Sequence, residues 1–211
     1  MRASLADQPG ATSLAIALGA NLPGPAGSPI HTLVAVRPQL EALVQQGWPG
    51  RHGPLVFHWS PLFTTAPVGG PADQPPYGNA VLVVEAVAEP AVAHAQELLQ
   101  ALHQLEQHHG RERRERWGPR SLDLDLLWWG DLQLSTPSLA LPHPLWPQRG
   151  FVLAPLLAIE RRRSWPIRCP QPVGFVEAAG PTPLATLAAA WRRASGMALP
   201  QPLPPPEGWP C

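Results

Sequence analysis

The chain contains no lysine. All 15 of its basic residues are arginine, which excludes a Walker-A phosphate loop and the nucleotide lysine of a protein kinase, since both need an amine on the phosphates. Phosphate chemistry here has to rest on arginine and metal. An excess charge of one sign is also missing: 15 basic residues face 15 acidic ones, so no global field draws the protein to nucleic acid or to an anionic membrane. Cysteine is scarce. Cys169 and Cys211 lie far apart without metal-ligand spacing, and two reduced thiols are expected, with one bridge as the alternative. Long apolar runs are absent as well, so no segment is expected to span a bilayer. Arg2 followed by "SLAIALGA" superficially resembles a secretory leader, but Asp7, Pro9 and Gly10 interrupt it, and a cytoplasmic protein is expected.

Proline and glycine are abundant, with 30 and 18 residues, and they concentrate in loops instead of forming a low-complexity background. The segments between them alternate in type. A strand at about 13–19 leads into "NLPGPAGSP", then a helical pattern runs from Ile30 through Leu33, Leu40 and Val44, with Pro38 as a possible kink. Residues 55–60 and 80–88 suit strands, joined by the loop "TTAPVGGPADQPPYGN". A helix follows Pro90 and carries Leu99, Leu102 and Leu105 toward Gly110. "DLQLST" is expected to pair back on the strand before it through Trp129-Gly130. Further helices are expected at "GFVLAPLLAI" and 182–194. The order β-α-β-β-α-β predicts an α+β fold of ferredoxin-like type, a mainly antiparallel sheet with helices on one side. Residues 1–12 read as a flexible N-terminus, 13–197 as one domain, and 198–211 as a proline-rich tail with no periodicity to dock it.

Chemistry concentrates in Leu122-Asp123-Leu124-Asp125-Leu126. Alternate side chains on a strand face the same way, so Asp123 and Asp125 point together and need a positive partner or open water between them. Most Asp-x-Asp pairs are the solvated face of an edge strand. Here the neighbours are leucines and tryptophans, among which unpaired carboxylates would be costly. A divalent cation resolves the conflict, because Mg²⁺ takes one or two carboxylates plus substrate phosphates and water. Just upstream, "GRERRERWGPR" places Arg111, Arg113, Arg114, Arg116 and Arg120 within ten residues. Arginine forks match phosphate oxygens bidentately. Trp117 and the Gly118-Pro119 turn suit a lid over such a site.

"RWGPRSLDLDLL" closely resembles the signature of the 6-hydroxymethyl-7,8-dihydropterin pyrophosphokinases. "LGANL", "SPLFTTAPVGGPADQPPYGNAVLVVE" and "LPHPLWPQRGFVLAPL" resemble further segments of that family in the same order, over about residues 13–160. The resemblance implies pyrophosphoryl transfer from ATP to 6-hydroxymethyl-7,8-dihydropterin, with AMP released and the pterin diphosphate passed to dihydropteroate synthase. It also implies that Asp123 and Asp125 hold two Mg²⁺ ions and that Arg111, Arg113 and Arg120 grip phosphate beneath Trp117. Thr65, Val68, Tyr77, Asn79 and Phe151 match its pterin pocket. Gln74, Glu106, His143 and Arg149 match its ATP-side residues. Gly70 adds a residue to the pterin loop, and Ser138 stands where an arginine is common in the family.

Two other functions compete. A nucleotide-sugar transferase also uses Asp-x-Asp to hold metal and diphosphate, but the doubly wound nucleotide-binding pattern is missing. An RNA-binding loop stacking a base on Trp117 would fit the arginines, yet one basic patch on a neutral chain is a poor footprint. The expectation is therefore a monomeric enzyme with ATP and a pterin as partners and no nucleic acid or membrane. His103, His108 and His109 read as surface residues on a helix end, not as metal ligands.

Overall fold

The computed structural model describes residues 12–47, 54–112, 118–163, 166–167, 169–170 and 183–210. β1 (Thr12–Ala20) runs into α1 (Pro29–Gln46), followed by β2 (Val56–Trp59), β3 (Phe63–Thr65), β4 (Tyr77–Val87), α2 (Val92–His108) and β5 (Asp123–Trp129). Two short strands, β6 (Leu134–Ser135) and β7 (Ala140–Leu141), precede α3 (Gly150–Arg163) and α4 (Leu184–Ser195). α1 starts where Ser28 accepts the His31 amide and proline occupies the first turn, two features that favour a helix start. Pro38 lies within this helix without ending it.

The main sheet is antiparallel in the order β2-β4-β1-β5, with β3 also paired to β4. This is the strand order of the expected ferredoxin-like sandwich. β2 and β3 lie end to end against β4, so together they form one interrupted edge.

Helices cover both faces, not the single side predicted. Leu14, Ile16 and Leu18 of β1 pack with Leu33, Val36 and Leu40 of α1 and with Leu98 and Leu102 of α2. Ala15, Ala17, Val81 and Val83 face the opposite way, onto Val152, Leu156 and Ile159 of α3 and Leu187 of α4. A sheet buried on both sides reads as a continuous apolar run, which accounts for "SLAIAL" and "AVLVV". The second helical layer was legible as helices but not as a layer. Its low amphipathic contrast, with Pro155 inside α3, hid which face it buries.

The predicted hairpin onto β5 is corrected too. β6 pairs with β7, through Leu134↔Leu141 and Ser135↔Ala140, and β5 pairs with β1. The reason lies in β5 itself: its register against β1 shifts between Ala15 and Ile16. Leu127 and Trp128 therefore both face the α3 side, a bulge that ends the alternation set by the aspartates. Beyond Gly130 the chain leaves the ladder and returns beside β5 at His143, whose amide donates to the Leu127 carbonyl at 2.7 Å.

The tail after residue 198 docks on the core, against expectation. Trp209 is buried, its ring 5.2 Å from that of Trp59 in an edge-to-face contact. The absence of periodicity misled because isolated contacts, Trp209 above all, anchor the segment. Cys169 is a free, buried thiol, and burial pushes its pKa well up; Cys211 and the N-terminal residues 1–11 lie outside the described residues. Among the described residues, no helix is long and apolar enough to cross a membrane.

α3 is tied to the sheet by Arg163, whose guanidinium meets Glu85 on β4, while His58 on β2 approaches the same carboxylate at 3.1 Å. Burial raises the Glu85 pKa, but the hydrogen bond from His58 and the charge of Arg163 outweigh it, and the net shift is downward. A carboxylate depressed in the folded state contributes stability above its unfolded pKa of about 4.3, and that contribution is lost as pH falls through the lower folded value. Glu85→Gln is therefore expected to flatten the loss of stability below about pH 4, measured by denaturant unfolding at stepped pH. An unchanged acid limb would remove Glu85 from the account.

Candidate active site

The site forms where α3 stops short of the end of β5. Asp123 and Asp125 pair in register with Gly19 and Ala17 of β1, on the face that α3 covers further along. Leu124 between them points into the opposite core. The exposed end of the strand opens into a cavity of about 710 Å³.

Arginines answer the question of what lies between the aspartates. Asp123 takes Arg111 at 2.7 Å on one oxygen and Arg120 at 2.9 Å on the other. Asp125 takes Arg149 at 2.9 Å. Burial first, and the charge of Asp125 second, raise the Asp123 carboxyl above the usual carboxylate range, with Arg111 and Arg120 pulling it down. Like charges on one strand face thus share a cage of three guanidinium groups. Two carboxylates with water-facing room fit a hard cation that completes its shell from substrate and water. Among the described residues, no group of three or more His, Cys, Asp or Glu side chains could hold a metal.

Each arginine is itself held. Glu106, buried on α2, accepts both the Arg111 guanidinium and the Leu124 amide, the latter at 2.8 Å. Arg120 donates its amide to Asn21 Oδ1 at 2.8 Å and accepts the Asn21 amide at 2.9 Å, which fixes the arginine loop's return to the β1–α1 loop. Arg149 precedes the first turn of α3, with its guanidinium carbon 5.5 Å from the centre of the Phe151 ring.

The other wall comes from β3, β4 and their connecting loop. Asn79 donates to Thr65 Oγ1 at 2.8 Å. The Tyr77 hydroxyl lies 3.2 Å from the Gly118 carbonyl and 3.3 Å from Gln74 Oε1, which joins the pocket loop to the arginine loop. A Cβ at Gly19 would sit 3.3 Å from Asn79 Oδ1, so glycine keeps the floor open. His143 faces Asp125 and Arg149. Burial lowers its pKa, and its Nδ1 accepts the Leu145 amide at 3.1 Å, leaving the proton of the neutral ring on Nε2.

All of the predicted site residues line this one cavity except Arg113 and Trp117, which lie outside the described residues. Val68 lines it from a loop tip and is 70% exposed. Sequence reasoning missed the wall formed by Thr136, Pro137 and Leu139, because that turn belongs to the β6–β7 hairpin it had assigned to the sheet. It also missed His103, which lines the cavity from α2. His109 is buried, not a surface residue. Burial, then the neighbouring His108, lowers its pKa.

The sequence profile described as 7,8-dihydro-6-hydroxymethylpterin-pyrophosphokinase (HPPK) matches residues 15–161. A 2-amino-4-hydroxy-6-hydroxymethyldihydropteridine pyrophosphokinase of Pseudomonas aeruginosa is 44% identical over 97 residues, 46% of this chain and 56% of that protein. One of Haemophilus influenzae is 36% identical over 144 residues, 68% of this chain and 79% of that protein. A Synechocystis relative of the same name is matched over 42% of its length, so this chain spans about half the length of some of the relatives it matches. A Plasmodium falciparum HPPK-DHPS triple mutant shares the fold with a TM-score of 0.50 at 10% identity, covering 90% of this chain and 46% of that one. With its profile match running from the middle of β1 through most of α3, the chain belongs to the 7,8-dihydro-6-hydroxymethylpterin-pyrophosphokinase family.

Proposed function

We propose that this chain transfers a pyrophosphoryl group from ATP to 6-hydroxymethyl-7,8-dihydropterin, giving the pterin diphosphate and AMP. The observation that carries the reading is the pairing of two unlike walls across one cavity. One wall is the Asp123–Asp125 face with its three arginines; the other is an amide, a hydroxyl and aromatic rings suited to a flat heterocycle.

Asn79 offers its carboxamide to the aminopyrimidinone edge beside Thr65, and Tyr77 and Phe151 supply ring surface. Arg111, Arg120 and Arg149 exchange their carboxylate partners for phosphate oxygens, which present the same bidentate geometry. By the family resemblance, Arg113 is assigned as a further phosphate arginine and Trp117 to the nucleotide side. Gln74, Glu106 and His143 orient the nucleotide side, His143 as a neutral donor through Nε2. Asp123 and Asp125 would hold Mg²⁺, two ions in the fullest reading, and bound metal would neutralise charge on the triphosphate. The hydroxymethyl oxygen attacks the β-phosphorus in line, the bond to the AMP oxygen breaks, and an aspartate of the pair accepts the alcohol proton. Positioning and charge neutralisation supply most of the rate.

The proposal extends to a cytoplasmic monomer whose product passes to dihydropteroate synthase. Incubated with ATP, Mg²⁺ and the pterin alcohol, the protein is expected to release AMP and pterin diphosphate in equal amounts, resolved by chromatography. ADP instead of AMP would reduce it to an ordinary γ-phosphotransferase.

A further inference from the structure

The edge of the sheet beside the pterin wall is closed by the segment that lies outside the family match. Pro202 forms an antiparallel bridge with Phe63 of β3, and the Leu203 amide donates to the Leu62 carbonyl at 2.7 Å. Proline has no amide hydrogen, so the added strand ends after one bridge and presents a blocked edge. The segment then crosses the edge from one face of the sheet to the other. Leu199 packs with the cluster beneath α3 and α4, whereas Leu203 and Trp209 pack with the cluster beneath α1.

Trp209 completes the break between β2 and β3. Ser60 is fully buried there: its amide donates to the Val81 carbonyl, and its hydroxyl accepts the Val81 amide and donates to the Pro61 carbonyl. The Ser60 carbonyl accepts the Trp209 indole N–H at 2.9 Å. Without the indole, that oxygen is left in the core with its sheet partner already used elsewhere.

The segment's grip on β3 leads to one wall of the cavity. Phe63, clamped by Pro202 on its outer side, pairs on its inner side with Asn79, and two residues on, Thr65 pairs with Tyr77 and accepts the Asn79 side chain. We propose that residues 202–209 are a strap that positions the pterin wall, with Trp209 and Leu203 acting as positioning residues for Thr65 and Asn79. Among the described residues, no hydrogen bond or ion pair joins the strap to Asp123, Asp125, Arg111, Arg120 or Arg149, so it sets the fit of the heterocycle and leaves the phosphate side alone. This rests on the pterin reading of that wall.

Two variants separate the strap from mere stabilisation. Trp209→Phe keeps one aromatic ring and removes the N–H donor with the pyrrole half of the indole; Leu203→Pro removes one amide and keeps an extended backbone. In steady-state assays each is expected to raise the KM for the pterin alcohol about tenfold, with the KM for ATP and kcat within about twofold of the parent. Hydrogen exchange on the same proteins is expected to quicken at residues 63–65 and to stay unchanged in β1 and β5. A fall in melting temperature with equal changes in both KM values, or with unaltered exchange in β3, overturns the proposal. Should the parent protein fail to turn over pterin and ATP, the functional reading fails by that result, and the exchange measurement still decides whether the strap holds β3.

Discussion

Asp123→Asn and Asp125→Asn are each expected to lower kcat/KM by on the order of 10³-fold, several kcal/mol of transition-state stabilisation, with the fold intact. Asparagine matches aspartate in volume and keeps one oxygen acceptor, so the arginine contacts weaken without a cavity opening. Removing one of two like charges also relieves the repulsion that helps raise the Asp123 pKa, which offsets part of what the lost ion pairs gave. Melting temperatures within a few degrees of the parent are therefore expected alongside the collapse in turnover. The two variants differ in one respect. Asp123 holds two arginines and Asp125 one, so Asp123→Asn frees more of the guanidinium cage and is expected to tighten nucleotide binding in the absence of Mg²⁺. Near-normal turnover by either variant at low Mg²⁺ would remove these carboxylates from the metal assignment.

The site was legible because its chemistry is written locally. Five residues of alternating leucine and aspartate specify a strand, a face and a charge conflict at once, and "GRERRERWGPR" places the resolving charges within ten positions. Arg149 is different. It reaches Asp125 from 24 residues away, ahead of α3, and only the family resemblance singled it out. The β-α-β-β-α-β order was legible for the same local reason, since each element is bounded by proline or glycine.

What sequence reading lost was long-range. The bulge at Leu127 has no signature in an all-apolar stretch, and it ends the alternation that the aspartates set. α3 is apolar without interruption from Phe151 to Ile159, around its whole circumference, so its buried face could not be read from spacing. The C-terminal segment has no period at all, because one tryptophan and one edge bridge hold it. Docking of that kind depends on a vacancy elsewhere, here the break between β2 and β3, which no local pattern records.

Glu106→Ala is expected to cost about 3–5 kcal/mol of folding stability, a fall in melting temperature on the order of 10 °C, and most of the activity with it. Glu106 is 1% exposed, and a carboxylate so deep is costly unless it is paired and hydrogen-bonded. The Arg111 guanidinium and the Leu124 amide both converge on its Oε1. Truncation strands the amide of the residue between the two aspartates and leaves Arg111, which is largely buried, with Asp123 as its remaining ionic partner among the contacts described. Both defects fall at the centre of the site, so stability and chemistry decline together. Glu106→Gln separates them. Its amide oxygen still accepts from Leu124, which keeps β5 seated and limits the stability loss to about 1–2 kcal/mol, while the lost charge releases Arg111 wholly to Asp123. In that variant the KM for ATP is expected to rise more than the melting temperature falls. A Gln variant as unstable as the Ala variant would show that the charge of Glu106, not its hold on the β5 backbone, is what keeps this end of the sheet together.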